Sequence, residues 1–483
     1  MRAIKDHLFL LIIILVSFII GSATLTRGHE WGDDFASYIM QAQSILKGNT
    51  DEFIERNTFT IFQSSFQIGP IAYPWGYPLI LTPALLIKGV HPLALKIPGL
   101  FFFAGFLICL YWLTKSRLTR AENLLLVSIF AFNPILTKFL DQILSDISFL
   151  FFITLGLVLI SNFKPNAPPW KHFVLGAVLF YAFFVRTTGL ILFASYLAYQ
   201  ALGFIRHSEA RKTILRNSAA ITLSFVLLWL VTFRIFPNGQ GAYFKQLQGL
   251  TPVIFRENIS IYFYLFRDFF GTGPVWTCIY YVLTVLFLIG ISTRFNQDQL
   301  IAIFFMLYFV AMLFWPEHQG IRFIFSILPL FIYFVFQGIR FIIQKTPKTY
   351  QRAGEIAFHS FWILVIGFFL FISATRAYNN LKAERKINGP FDPYSSDVYN
   401  FIRAETPPDS VIVFFKPRAM RLFTDRDTIM SIDCEHMESL GDYAVISKKA
   451  ENSQIPPDEI DQCNFQLKNV FENQRFIVYE LPK

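Results

Sequence analysis

Two adjacent carboxylates, Asp33 and Asp34, stand in Trp31-Gly32-Asp33-Asp34-Phe35-Ala36-Ser37-Tyr38, just beyond the first apolar stretch of a 483-residue chain. Ionised carboxylates beside hydrocarbon are costly unless paired, hydrated or functional, so an acid pair at a membrane boundary marks candidate proton-transfer chemistry. The same acids can cap the helix that follows, which accounts for one of them better than for both. A third acid, Asp146, enters Phe-rich sequence in Leu144-Ser145-Asp146-Ile147-Ser148-Phe149, with Asp141 about a turn and a half earlier. It reads either as the cap of its span or as part of the same pocket.

Cations that could meet an anionic group there are Arg186 in Val185-Arg186-Thr187-Thr188-Gly189, Arg322 in Gly320-Ile321-Arg322-Phe323, and Arg256 and Arg267 ahead of Gly271. A single interfacial arginine usually snorkels to lipid headgroups, but several on the acids' side suit phosphate, whose oxygens a guanidinium fork matches. Glu317 and His318 precede Arg322. With no second histidine at ligand spacing, His318 reads as an interfacial hydrogen-bonding group, and no cofactor is indicated; a divalent metal is neither required nor excluded. Asn258-Ile259-Ser260 fits a glycosylation acceptor, a pattern too frequent to carry weight.

The elements that must position these groups follow from composition. The chain is 54% hydrophobic and 16% charged, with 58 Phe, and runs such as Leu8 to Ile20 and Phe361 to Ile372 carry no charge. This is an integral membrane protein with about eleven candidate spans, each necessarily helical because lipid satisfies no backbone group. Beyond the first, they are expected near 95–113, 122–138, 147–162, 172–185, 188–205, 217–235, 274–291, 299–315, 322–340 and 357–375. The first span resembles a signal peptide, but Gly21-Ser22-Ala23-Thr24 is a poor cleavage site and the span is read as retained.

A net charge of +9 does not signal nucleic acid, because the Lys and Arg sit in short loops between spans. Basic clusters such as Arg2/Lys5, Lys115/Arg117/Arg120 and Arg206/Arg211/Lys212/Arg216 recur at every second loop and place those loops in the cytoplasm. Residues 27–92, 138–146, 237–273, 316–322 and the tail after 376 then face outward from a cytoplasmic membrane, the N-terminus lying inside.

Within the first outward segment Phe35, Ile39, Ala42, Ile45 and Leu46 recur at helical spacing opposite Ser37, Gln41, Ser44 and Lys47, predicting an amphipathic helix on the membrane surface that ends at Gly48. A polar stretch, 49–65, follows, and then Tyr73-Pro74-Trp75-Gly76-Tyr77-Pro78, where aromatic anchors and prolines predict a second interfacial helix. The division expected is a membrane domain over 1–376 and a small soluble α/β domain over 377–483, with helices at 396–403 and 418–423 and strands at 411–415, 443–447 and 475–479. Cys109 and Cys278 lie in spans. Cys434 and Cys463 lie in the tail, where an oxidising compartment permits a disulfide, the alternative being two unpaired thiols.

The acid just after the first span, Tyr38 four positions beyond Asp34, the aromatic-proline segment Tyr73 to Pro83, Asp146 before Phe-rich sequence, and Gly320-Ile321-Arg322-Phe323-Ile324-Phe325-Ser326-Ile327-Leu328-Pro329 together resemble the C-type membrane glycosyltransferases. The branch they are most similar to is the protein O-mannosyltransferase and lipid A aminoarabinose transferase group, over roughly residues 5–340. The resemblance implies a sugar donor on a polyprenyl phosphate and an acceptor hydroxyl on protein, glycan or lipid. It also implies Asp34 as general base, Asp33 as its neighbour, Asp146 as second acid, and Arg322 near the donor phosphate or its lipid. Tyr38, Tyr73, Trp75, Glu317 and His318 are then expected around the pocket. Where many members carry Lys-Pro-Pro in the first loop, this chain has Tyr73-Pro74-Trp75. The competing class is a transporter or flippase for lipid-linked sugars, which would distribute its charges through the bundle instead of gathering them at one face.

Overall fold

The computed structural model describes residues 2–66, 68–237, 249–317, 320–449, 451–463 and 467–482. Helix α1 (Arg2–Thr24) is followed by α2 (Asp34–Lys47), α3 (Thr50–Phe62) and α4 (Gly76–Lys88), which fill the first connection. The bundle continues with α5 (Pro92–Thr114), α6 (Arg120–Ala131), α7 (Pro134–Leu140), α8 (Asp146–Ser161), α9 (Pro169–Val185), α10 (Leu190–Arg206) and α11 (Arg211–Ile235). It closes with α12 (Pro252–Asp268), α13 (Pro274–Arg294), α14 (Gln299–Leu313), α15 (Leu328–Lys345) and α16 (Lys348–Lys382).

Among the described residues, seven helices (α1, α5, α10 with the 3-10 turn Thr187–Gly189 that leads into it, α11, α13, α15 and α16) are long and apolar enough to cross a membrane, and an eighth span exists if α6 and α7, bent by 51°, count as one. The remaining expected spans correspond to α8, α9 and α14, apolar helices shorter than the roughly 20 residues of a full crossing. The bend has a local cause: the Asn133 side chain accepts from Ile135 and Leu136 N–H at 2.9 and 3.2 Å, so it caps a new helix, and Pro134 supplies that helix's first residue. The span expected from residue 322 starts later. Gly320–Ile324 forms a 3-10 turn and α15 begins at Leu328, with Pro329 in its first turn.

Helix α15 is buried from Leu328 through Gly338 and forms the bundle's axis. Its tightest neighbour is α13, which it meets backbone to backbone. A Cβ on Gly290 would lie 1.9 Å from the Phe334 carbonyl oxygen, and one on Gly338 1.9 Å from that of Leu286. Small residues are what permit such contact where the hydrophobic effect gives helices no reason to associate.

The first connection packs more closely than its sequence pattern predicts. Helix α2 does end at Gly48, in the left-handed region at φ 72°, but its polar face is covered by protein: Phe35 through Ala42 are all buried, Ser37 and Gln41 included. Its polar face is satisfied by protein, for the Gln41 Nε2 donates to the Tyr73 carbonyl (2.8 Å) and Tyr73 N–H donates to Gln41 Oε1 (3.1 Å). The polar stretch after it is helical too, as α3, because its hydrophilic side faces the tail.

Helix α16 runs to Lys382, past the expected boundary at 376. The tail then forms α17 (Pro393–Glu405), β1 (Val411–Phe414), α18 (Pro417–Thr424), β2 (Asp427–Ile429), α19 (Cys434–Leu440), β3 (Tyr443–Ser447), β4 (Lys468–Glu472) and β5 (Phe476–Glu480). The sheet order is β2-β1-β3-β5-β4, with β1 parallel to β2 and β3, and β5 antiparallel to β3 and β4. Cys434 and Cys463 are disulfide-bonded. The tail docks through Arg56, which pairs with Asp425 and Asp427 at 2.6 and 2.9 Å, through Arg421 on Asn57 (3.0 Å), and through Trp31, edge-on against Phe414 and Phe415.

Replacing Gly338 with Leu should force α13 from α15 and destabilise the bundle by about 1–3 kcal/mol or more. Thermal unfolding of the detergent-purified protein checks this, with Gly367→Leu as control, since a Cβ there meets nothing within 4 Å.

Candidate active site

At one end of the bundle, α2, the loop ahead of α4, the turn between α9 and α10, the end of α14 and the Gly320–Ile324 turn enclose a cavity of about 140 Å3. It is lined by Asp34, Tyr38, Gly69, Pro70, Tyr73, Arg186, Thr188, Tyr308, Trp315, Glu317, Arg322 and Phe323, among others. Each charged side chain arrives from an element terminus, where the backbone is free of a helical repeat and can aim it inward. Asp34 and Asp146 are the first residues of α2 and α8; Arg186 follows α9 in extended conformation; Arg322 rides the 3-10 turn.

Arg322 joins the two acids. Its Nε donates to Asp146 Oδ1 (3.1 Å), its Nη2 lies 3.1 Å from Asp146 Oδ2, and its Nη1 donates to Asp34 Oδ2 (3.2 Å). Arg186 Nη1 donates to the same Asp146 Oδ1 at 2.5 Å, and its guanidinium lies over the Phe149 and Phe323 rings. The remaining Asp34 oxygen accepts from the Tyr73 hydroxyl (2.5 Å). Exposure separates the two carboxylates: the Asp34 side chain is 23% exposed to the cavity and that of Asp146 only 1%. Asp146 is thus an anchor beneath two guanidiniums, and Asp34 is the carboxylate that opens to the cavity.

The other sequence candidates divide. Tyr38 bonds Ser145 Oγ (3.1 Å) and packs on Tyr73 and Tyr77, so it walls the cavity. Glu317 lines it as well, with burial first and the Asp34 charge second raising its carboxyl above the ordinary range. Trp75 instead stacks on Phe236 in a neighbouring apolar recess of about 170 Å3 that shares Tyr73 and Thr187 with the charged cavity. Arg256 is exposed on α12, and Arg267 pairs with Asp268 (2.9 Å); neither lines the cavity. His318 lies outside the described residues. Among the described residues no three His, Cys, Asp or Glu side chains gather as a metal-ligand set.

Asp33 turns away from its neighbour. It occupies the N-cap position of α2 without capping it, and accepts the Arg418 N–H at 3.2 Å, at the start of α18 in the tail. Burial raises its pKa to about 6, against the pull of the Lys416 and Arg418 cations.

Sequence reasoning missed Tyr308 and Trp315, which look like ordinary span aromatics, and Arg418, which comes from 385 residues beyond Asp33. The fully buried Arg418 donates to the Pro70 carbonyl and lies 5.6 Å from the Tyr73 ring centroid, backing the loop that forms one cavity wall. Also missed was a polar layer behind Asp146. Lys96 Nζ donates to Asp141 Oδ1 (2.7 Å) and to the carbonyls of Thr26 (2.7 Å) and Gly28 (2.6 Å), tying α5 to the connections on either side. His29 completes that layer, its Nε2 accepting the Ile143 N–H (3.0 Å) while Nδ1 contacts the Glu30 carbonyl (2.7 Å), which requires a neutral ring with the proton on Nδ1.

Two outcomes follow. Asp146→Ala leaves Arg186 without its anion and Arg322 with Asp34 alone, and should destabilise the protein by about 3–5 kcal/mol. Asp34→Asn should cost far less, which parallel thermal melts will compare. Burial, helped by the Lys96 charge, depresses His29 to about 3 from 6.5, so its contribution to stability is complete above pH 6.5 and lost as pH falls toward 3. His29→Gln should flatten the stability profile across that window.

No family model and no curated relative matches the chain. Solved structures do. ArnT from Cupriavidus metallidurans, the lipid A aminoarabinose transferase, solved bound to undecaprenyl phosphate, aligns with a TM-score of 0.58 at 11% identity, over 97% of each chain. The oligosaccharyltransferase AglB from Archaeoglobus fulgidus, in complex with an inhibitory peptide and a dolichol-phosphate, aligns with a TM-score of 0.55 at 10% identity, over 91% of this chain and 69% of that one. Both neighbours are C-type membrane glycosyltransferases, and theirs is the multi-pass fold of this chain.

Proposed function

We propose that the protein is an inverting glycosyltransferase of the cytoplasmic membrane that moves a sugar from a polyprenyl-phosphate carrier to an acceptor hydroxyl at the outer face. The observation that carries this reading is the facing of one reachable carboxylate, Asp34, and two guanidiniums, Arg186 and Arg322, across a single cavity. A hydroxyl is a weak nucleophile at neutral pH, so transfer needs a base at the acceptor and cations at the departing phosphate.

In this reading the acceptor oxygen attacks the anomeric carbon as Asp34 takes its proton. The bond from that carbon to the phosphate oxygen breaks, and the carrier leaves as the polyprenyl phosphate. Arg186 and Arg322 stabilise the charge that gathers on it, held in place by Asp146. Arg322 meets Asp34 through one nitrogen but Asp146 through two, so an incoming phosphate can take over the Asp34 contact while Asp146 keeps the guanidinium positioned. The apolar recess of Trp75, Phe184 and Phe236 beside the cavity supports a lipid carrier over a soluble nucleotide sugar. Orientation with the cavity outward rests on the basic clusters in alternate loops.

The test uses protein purified in detergent with a radiolabelled polyprenyl-phosphate sugar. Asp34→Asn should retain binding of undecaprenyl phosphate but lose transfer by about 10²–10⁴-fold, whereas Arg186→Ala should weaken binding of that lipid. Equal transfer by wild type and Asp34→Asn would remove Asp34 from the mechanism. Mass spectrometry of membrane glycolipids from a deletion strain would then identify the sugar and the acceptor.

A further inference from the structure

A second cavity, about 540 Å3, opens between the end of α1 and the last turns of α16, away from the residues of the charged cavity. Phe371 and Ile372 line its apolar side, and Thr24, Asn379, Arg376 and Arg385 its polar side. Arg385 reaches Asp141 Oδ2 (2.9 Å), but Arg376 has no hydrogen-bond or ion-pair partner among the described residues. The charges there do not balance. Lys96, Arg376 and Arg385 surround one buried carboxylate, Asp141, while the other nearby acids are engaged elsewhere, Glu30 with Lys138 (3.6 Å) and Glu384 with Arg27 (3.7 Å).

We propose that this cavity binds an anionic phospholipid by its phosphate, Arg376 and Arg385 gripping the phosphate oxygens and Phe371 and Ile372 receiving an acyl chain. The order of groups along α16 matches such a lipid. Phe371 is 70% exposed on the bundle's lipid-facing side, and Arg376 follows five residues later, about 7.5 Å along the axis, where the apolar run ends. Two guanidiniums sharing a recess repel one another unless an anion lies between them, and a tetrahedral phosphate presents oxygens to both. The recess is also rigid. Asn380 Nδ2 donates to the carbonyls of Ala23 (3.0 Å) and Leu25 (2.9 Å), and its Oδ1 accepts from Arg385 N–H (2.9 Å), so α1, α16 and the Arg385 backbone are fastened together. An arginine merely snorkelling to headgroups would need neither a cavity nor a second cation. The same Arg385 holds Asp141 in the connection that leads to Asp146, so a bound lipid would touch the scaffold of the charged cavity without entering it. None of this depends on the transfer reaction.

The full chain is reconstituted in nanodiscs of phosphatidylcholine with a minor share of phosphatidylglycerol, and the lipids retained after mild delipidation are quantified by mass spectrometry. Wild type should enrich phosphatidylglycerol, and Arg376→Gln should reduce that enrichment about tenfold. Because Arg376 makes no hydrogen bond or ion pair among the described residues, the variant should fold, which an unchanged melting curve verifies; Arg376→Lys should fall between the two. Equal enrichment by wild type and Arg376→Gln overturns the proposal. Displacement of the lipid by inorganic phosphate as readily as by added phosphatidylglycerol overturns it too, assigning the site to a free anion.

Discussion

A carboxylate sunk below the floor of a cavity must be neutralised, and Asp146 is neutralised twice. Arg186 and Arg322 both converge on it, so two cations that would otherwise repel are held side by side at a protein surface they share. Every other feature of the site depends on that arrangement. It turns the α9–α10 connection and the 3-10 turn toward one another, closes the cavity between them, and leaves Arg322 with a nitrogen to spare for Asp34. The carboxylate that anchors is therefore buried, and the one that opens to the cavity is Asp34. Asp146 is buried under three guanidinium contacts, whereas Asp34 is partly open to the cavity and is held by one Arg322 nitrogen and the Tyr73 hydroxyl.

The tail takes part in the same construction. Arg418 and Arg421 are buried between the soluble sheet and the first connection, where they meet the Asn57 side chain, the Pro70 carbonyl and the Tyr73 ring. Tyr73 donates to Asp34, so the wall on which the reachable carboxylate leans is itself backed from the tail. Asp33 completes the link by accepting the Arg418 amide. Two neighbouring acids in sequence thus serve two purposes, because adjacent residues at a helix start point in different directions: one toward the cavity, the other toward the domain that covers it.

The spans were legible because a bilayer demands long apolar helices, and composition alone marks them. The alternation of basic loops likewise grouped Asp34, Asp146, Arg186 and Arg322 on one side before any fold was in view. Less legible were elements whose stability comes from tertiary contact. Strand β4, Lys468–Glu472, carries polar residues at a sheet edge and pairs, among the described residues, with β5 alone, and β2 is three residues long; neither has a periodicity to read. Helix α3 looked like a polar connection because its hydrophilic face meets Arg421 and Asp427 through Asn57 and Arg56 instead of water. The amphipathic pattern of α2 is real, and its polar face is turned to Tyr73.

By itself, then, the sequence determined the class of the protein and which carboxylates deserved suspicion, since these follow from hydropathy and from the cost of charge near hydrocarbon. Only the tertiary structure decided their division of labour. Whether an acid anchors two guanidiniums, opens to the cavity or accepts an amide from the tail depends on its burial and on which donor reaches it. Arg322 lies 176 residues from Asp146 and 288 from Asp34, a distance along the chain over which spacing carries no information about contact.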